Sequence, residues 1–276
     1  MNDTQKYLFD LQGFLVVEGV LSADEVATAN QAIDRHAEGI LERVGDLSLS
    51  SDSATLQGDT GRGDLGGLLE WEKPWCDPFR EMLAHPRIVP YLNCILGQGW
   101  RMDHNAGLIS MRKGAEGHIL HGSSGPGFDR HQYYHFQHGQ MHNGLTVAAW
   151  QLADVNPGDG GLALIPGTHK GNYDCPQAIR KWEVHQDIVK QVTCKAGDVV
   201  IFTEAVTHGT IPWTAAHDRR SVLFRMSPGN LAYAQGDWPE SMLEGMTPEQ
   251  RAVLEPPYHQ RLQRPVLDDN GRLASQ

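Results

Sequence analysis

Gly197-Asp198-Val199-Val200-Ile201-Phe202-Thr203-Glu204-Ala205-Val206-Thr207-His208-Gly209-Thr210, with Arg219 and Arg220 just beyond it, is the stretch that decides the fold class. A Gly-Asp turn opens an apolar, β-branched run, 199–202, of the kind that forms a buried strand. A histidine stands where that run passes into a loop, and a second run, 221–226, follows the two arginines. One strand end therefore offers an imidazole of metal-binding type, and the start of the next offers a guanidinium. Side by side they could hold a metal ion and a dicarboxylate.

Outward from this stretch, short β-branched runs alternate with Gly and Pro turns from about residue 100 onward. Runs 108–111, 145–152, 162–165, 188–192, 199–202 and 222–226 are the expected strands, and 13–17 is a further short one near the start. Several short strands punctuated by turns predict a mainly β fold with flanking helices, a sandwich or double-sheet jelly roll. Ser22-Ala23-Asp24-Glu25 forms a capping box, and Val26, Ile33, Ala37, Ile40 and Val44 recur behind it at helical spacing. Residues 78–95 are helical in pattern, broken by Pro86 and Pro90, and Thr247-Pro248-Glu249-Gln250 starts a last helix. Residues 47–67, rich in Ser, Asp and Gly, read as a mobile loop or lid. The expected organisation is one domain, 1–276. It has a helical N-terminal flank to about residue 100, a jelly-roll core over about 100–230, and a C-terminal helical extension, 231–276.

A chain of 276 residues can bury a sizeable core. Its net charge of −11 argues against nucleic acid or an anionic membrane as the main partner, since both need a basic face. The four cysteines are scattered with no C-x-x-C pair, which disfavours structural zinc and fits thiols in a reducing cytoplasm. No run of about 18 apolar residues predicts a membrane span.

Fourteen histidines are more than packing requires. His36, His85, His217 and His259 lie in polar or helical contexts and read as surface residues. His131, His135, His138 and His142 would share one face of a helix, but Gly139 and Asn143-Gly144 speak against a continuous one. His118 and His121 follow an apolar stretch. One histidine at the head of the β-rich region, a second at its far end and an arginine eleven residues beyond fit a non-haem iron site. Such a site uses two imidazoles and a carboxylate on one face of Fe(II). Arg219 would hold the far carboxylate of a cosubstrate in the fork geometry that lysine lacks, and Thr210 could donate a hydroxyl to it. Trp71, Trp75, Tyr133, Tyr134 and Trp213 are available to line a pocket, although packing is the commoner use of such residues.

These segments resemble the phytanoyl-CoA dioxygenase family of Fe(II)- and 2-oxoglutarate-dependent oxygenases over most of the chain. The likeness is carried by Gly13-Phe14-Leu15-Val16-Val17 with Leu21-Ser22, Leu120-His121, residues 154–161, Pro166-Gly167-Thr168-His169-Lys170, Gly197-Asp198, His208-Gly209-Thr210 and Arg219. It implies a double-stranded β-helix, with His121 and His208 as iron ligands and catalytic centre. It implies Arg219 and Thr210 on 2-oxoglutarate, and His169 as a structural residue. The implied activity is hydroxylation of an aliphatic carbon of a small molecule with molecular oxygen.

One departure is informative. In the family, an aspartate two residues after the first histidine also binds iron; here that position is Ser123, and a segment of unusual length follows it. Three explanations stay open. A carboxylate from elsewhere completes the triad: Asp129, or Glu204, which would share a face with His208 if the strand runs on that far, because side chains alternate along a strand. The position is vacant, as in relatives that halogenate with chloride in the gap. Or the first ligand is His131 or His135. A non-catalytic jelly-roll binding protein that has lost its iron is the rival from another class.

Overall fold

The computed structural model describes residues 1–122, 129–234 and 236–274. Its strands are β1 (Phe14–Val17), β2 (Leu41–Glu42), β3 (Gly63–Leu65), β4 (Arg101–Met111), β5 (His118–His121), β6 (Tyr134–Gln137), β7 (Gln140–Asn143), β8 (Thr146–Gln151), β9 (Gly161–Leu164), β10 (Lys190–Gln191), β11 (Val199–Thr203), β12 (His208–Ile211) and β13 (Arg219–Ser227). Seven form one sheet in the order β1-β11-β8-β13-β4-β3-β2, and a second sheet of four runs β10-β9-β12-β5. Every named pairing is antiparallel. The chain passes repeatedly between the sheets, from β4 to β5, β8 to β9, and then through β11, β12 and β13 in turn. This is the jelly roll.

The larger sheet is covered on both faces, which is why its strands read as unbroken apolar runs. Val199 and Ile201 of β11, Trp150 of β8 and Phe224 of β13 face the helical layer. Val200 and Phe202, Ala149 and Leu223 face the second sheet. Side chains alternate along a strand, so each run feeds two cores. The helical layer comprises α1 (Asp3–Gln12), α2 (Ala23–Arg35), α3 (Asp77–Leu83) and α4 (Val89–Leu96).

Several local expectations shift. The Ser22–Glu25 capping box is present, but α2 stops at Arg35 and a short 3-10 turn leads into β2, so Ile40 and Val44 lie outside it. Pro90 sits in the first turn of α4, where its missing N–H costs nothing, so it starts that helix instead of breaking one. The 47–67 stretch is not simply a loop: Gly63–Leu65 pairs with β4, and Glu116 accepts from Ser48 Oγ at 2.5 Å and Leu49 N at 2.8 Å. Residues 1–100 thus contribute three strands as well as helices. Three of the spaced histidines lie on a hairpin, with His135 opposite His142 and His138-Gly139 at the turn in left-handed conformation, and His131 precedes it. The Thr247 capping box and its helix, Pro248–Val253, are present. No helix among the described residues is long and apolar enough to cross a membrane.

Candidate metal centre

The Gly-Asp turn is held by its own aspartate: Asp198 accepts from Lys195 N and from Gly19 N, each at 2.7 Å. From it β11 runs between β1 and β8 and ends at Thr203. There the chain turns a corner into the other sheet. Glu204 N donates to Leu145 O at 2.9 Å, Ala205 N to Thr203 Oγ1 at 3.3 Å and Val206 N to Thr203 O at 3.1 Å. The corner delivers His208 to the start of β12, with Glu204 one turn behind it. Their proximity comes from this corner and not from alternation along a continued strand.

His208 pairs directly across β12 and β5 with His121. Two residues on, Thr210 opposes His118, so three steps along β5 match two along β12. That β-bulge re-aims the strand and lets both His118 and His121 face the interior, which ideal alternation would forbid. Gly209 makes the close approach feasible: a Cβ there would lie 2.6 Å from the His118 carbonyl oxygen and 3.0 Å from Leu120 Cα.

His121, Glu204 and His208 converge, with one ligand atom of each within 4.8 Å of the others. Glu204 Oε2 lies 3.3 Å from His208 Nε2. Two ligands at about 2.1 Å from a first-row ion and at right angles are roughly 3 Å apart, so this spacing suits a metal. The imidazoles are prepared for one. His208 Nδ1 is hydrogen-bonded to its neighbour Val206 O at 2.8 Å, and His121 Nδ1 to Ile119 O at 3.0 Å. A proton on Nδ1 leaves the Nε2 lone pair for the ion and fixes ring orientation. Burial, reinforced by His208, pushes His121 down to about 4, so it is neutral at physiological pH. Burial raises Glu204, but His208, Arg225 and His121 outweigh it and hold the carboxyl below its usual value.

These groups line a cavity of about 110 Å³ together with Arg62, Thr210, Arg219 and Arg225. Arg219 is 3% exposed, and burial pushes it down to about 10. Among the described residues its Nε has no hydrogen-bond partner, and Nη1 meets Met111 Sδ at 3.6 Å. An isolated guanidinium this deep calls for an anion, and a dicarboxylate cosubstrate fits. Gly161 leaves the room: its Cβ would stand 3.0 Å from Arg219 Nε. Arg220 faces the other way, to Asn30 Oδ1 at 3.0 Å and Asp34 Oδ1 at 2.6 Å on α2.

The other sequence candidates lie apart from this cluster. Asp129 is exposed and caps its own loop, accepting from His131 N at 2.7 Å and Gln132 N at 3.1 Å. His131 packs against Tyr233 and His135 sits on the exposed hairpin. Ser123 lies outside the described residues. His169 Nε2 bonds Asp10 O at 3.0 Å, tying the loop to α1. Trp71, Trp75, Tyr133, Tyr134 and Trp213 do not line the cavity; Trp213 is fully buried between the sheets. Sequence reasoning missed His118, Arg62 and Arg225. A three-residue histidine spacing inside a strand was the available signal for the bulge.

A family model described as phytanoyl-CoA dioxygenase matches residues 9–221. The chain is 25% identical over 245 residues to a probable alpha-ketoglutarate-dependent hypophosphite dioxygenase of Stutzerimonas stutzeri, covering 83% of this chain and 77% of that one. It is 24% identical over 220 residues to the peroxisomal phytanoyl-CoA dioxygenase of Rattus norvegicus, covering 75% of this chain and 62% of that one. The crystal structure of HygX from Streptomyces hygroscopicus with nickel and 2-oxoglutarate bound has a TM-score of 0.68 at 20% identity, covering 84% of this chain and 89% of that one. The likeness to HygX is one of fold.

Proposed function

The chain belongs to the phytanoyl-CoA dioxygenase family and is a non-haem iron, 2-oxoglutarate-dependent oxygenase; from that premise we propose that it hydroxylates an aliphatic carbon of a small molecule at a centre built from His121, Glu204 and His208. The observation that carries this reading is the convergence of two tautomer-fixed imidazoles and one buried carboxylate. Iron with 2-oxoglutarate, when bound, couples decarboxylation of the cosubstrate to oxygen transfer into a substrate C–H bond.

The remaining steps fall to the protein. His121, Glu204 and His208 would hold the ion, which would supply the site for cosubstrate and oxygen. Arg219, backed by the Thr210 hydroxyl, takes the far carboxylate of 2-oxoglutarate and sets its direction toward the metal. Ile109, Ala149, Leu162, Phe202 and Leu223 wall the cavity and exclude water. A carboxylate supplied by Glu204 fills the third position, which favours hydroxylation over halide transfer. The four cysteines are free thiols, which supports a reducing compartment, the cytoplasm. The names of two relatives at nearly equal identity point to unlike substrates, hypophosphite and phytanoyl-CoA, so kinship leaves this chain's substrate open.

The test is anaerobic. Adding Fe(II) and 2-oxoglutarate should produce a weak visible charge-transfer band, and admitting oxygen should convert 2-oxoglutarate to succinate. A protein that binds both yet gives neither signal would contradict the proposal.

A further inference from the structure

In a chain of net charge −11, the interior cavity is basic. Arg62, Arg219 and Arg225 line it, and Arg43 stands behind Arg62. Two carboxylates face these four guanidiniums. Asp64 is divided between Arg62, at 2.9 and 3.1 Å, and Arg43. Glu204 reaches Arg225 at 3.5 Å through Oε1, but its other oxygen is the proposed metal ligand, so a bound cation draws on the same charge. A bound iron and a bound 2-oxoglutarate dianion cancel each other. The excess of positive charge therefore persists in the loaded enzyme.

Its position is set by strand register. On β13 the inner face carries Arg219, Leu223 and Arg225. Six residues at ~3.3 Å per residue separate the two arginine backbones by roughly 20 Å. Arg219 abuts Gly161, which pairs with Ile211; His208 pairs with Leu164; and Glu204 reaches Arg225. The order through the cavity is thus Arg219, Thr210, His208, Glu204, Arg225. A five-carbon cosubstrate held on Arg219 and directed toward His121, Glu204 and His208 would leave Arg225 free at the other end of the cavity. The Arg225 side chain is 29% exposed, whereas Arg219 is sealed. Glu204 is the only ionic partner of Arg225 among the described residues.

We propose, building on the oxygenase reading, that the substrate carries an oxyanion, a carboxylate or a phosphorus oxyanion, and that Arg225 supported by Arg62 is the group that selects it. A guanidinium suits either anion because its fork of N–H donors matches two oxygens at once. Arg225 would then orient the reacting carbon beside the metal while holding the outer oxygen of Glu204.

Calorimetric titration of the Ni(II)- and 2-oxoglutarate-loaded protein tests this. The probes are acetate, propionate, methylphosphonate and phosphite, set against acetamide and propionamide. We expect at least one oxyanion to bind about tenfold or more tightly than the neutral amides, and Arg225→Met, held at saturating Ni(II) and 2-oxoglutarate, to lose that preference. Arg225→Lys, which keeps the charge, should retain part of it and guards against a folding defect. The carboxylate and phosphorus arms identify which oxyanion is preferred. Equal binding of amides, no heat with any oxyanion, an unchanged preference in Arg225→Met, or an oxyanion that merely displaces 2-oxoglutarate would each overturn the proposal. If wild type binds neither metal nor 2-oxoglutarate, the oxygenase reading fails separately, and metal-free wild type titrated against metal-free Arg225→Met still reports anion selection at Arg225.

Discussion

Replacing Glu204 by alanine removes the one carboxylate of the proposed centre, and the structure sets the scale of the effect. The side chain is 8% exposed, with His208 Nε2 at 3.3 Å on one oxygen and Arg225 Nε at 3.5 Å on the other. A hydrogen-bonding partner one step removed from a metal is worth roughly 10–100-fold in metal affinity, so loss of a ligand itself should weaken Fe(II) by more than about 100-fold. Metal at a hundredfold excess over Kd stabilises the wild type by about 2.7 kcal/mol. At ~2–4 °C per kcal/mol that is a rise in Tm of roughly 5–10 °C. The variant at the same metal concentration should rise by only about 1 °C.

Metal-free protein supplies the control. Taking an ionised carboxylate out of water costs several kcal/mol, about offset here by its neighbours, and the half-buried Arg225 can turn toward solvent once Glu204 is gone. The metal-free Tm should therefore change little. The assay is anaerobic Fe(II) competition against a chromophoric chelator, paired with thermal melts. Chloride should shift the visible band of Glu204→Ala, whose third position is vacant, and leave the wild type unmoved. Metal affinity within about threefold of wild type in a folded Glu204→Ala protein would refute the three-ligand assignment.

Arg219→Met should weaken 2-oxoglutarate roughly a hundredfold or more while leaving metal affinity nearly intact; because it removes an unpaired buried charge, the cosubstrate-free protein should melt about 2–6 °C higher. Asp129→Asn should leave metal affinity within about twofold, since among the described residues its carboxylate serves its own loop. His169, which burial pushes down to about 4, should impose an acid limit on stability: the unfolded chain takes up its proton near pH 6.5, so stability is complete above that pH and falls by up to about 3 kcal/mol between 6.5 and 4. Chemical denaturation as a function of pH should show this slope, and His169→Gln should flatten it. Hydrogen exchange over His118–His121, the edge strand of the smaller sheet, should slow when metal binds the wild type and stay fast in Glu204→Ala.

What the sequence conveyed depended on how local each feature is. The run 199–202 and the arginine start of β13 declare themselves through composition, and the capping boxes at Ser22 and Thr247 are complete within four residues. The choice between Arg219 and Arg220 is less local, because it rests on which face of β13 meets the second sheet; one arginine enters the cavity and the other grips α2. The bulge that turns His118 inward belongs to the pairing of β5 with β12 and to neither strand alone. Arg62 arrives from a segment whose composition suggests a loop, and it becomes part of the site only because β3 adds to the sheet edge beside β4.

Glu204 lies beside His208 for a reason that no strand pattern contains. Alternation along a strand continuing to His208 would put the two side chains on one face, but the strand ends at Thr203 and the four residues that follow form a corner between sheets. The corner would brace a metal-ligating pair more firmly than a strand end. Its backbone is fastened to Leu145 on one side and to Thr203 behind, and the His208 ring is locked onto Val206 within it. Carboxylate and imidazole therefore belong to one short, internally braced unit, and in-register pairing brings His121 to it across β5. A ligand placed two residues after His121 would instead depend on the chain beyond an edge strand.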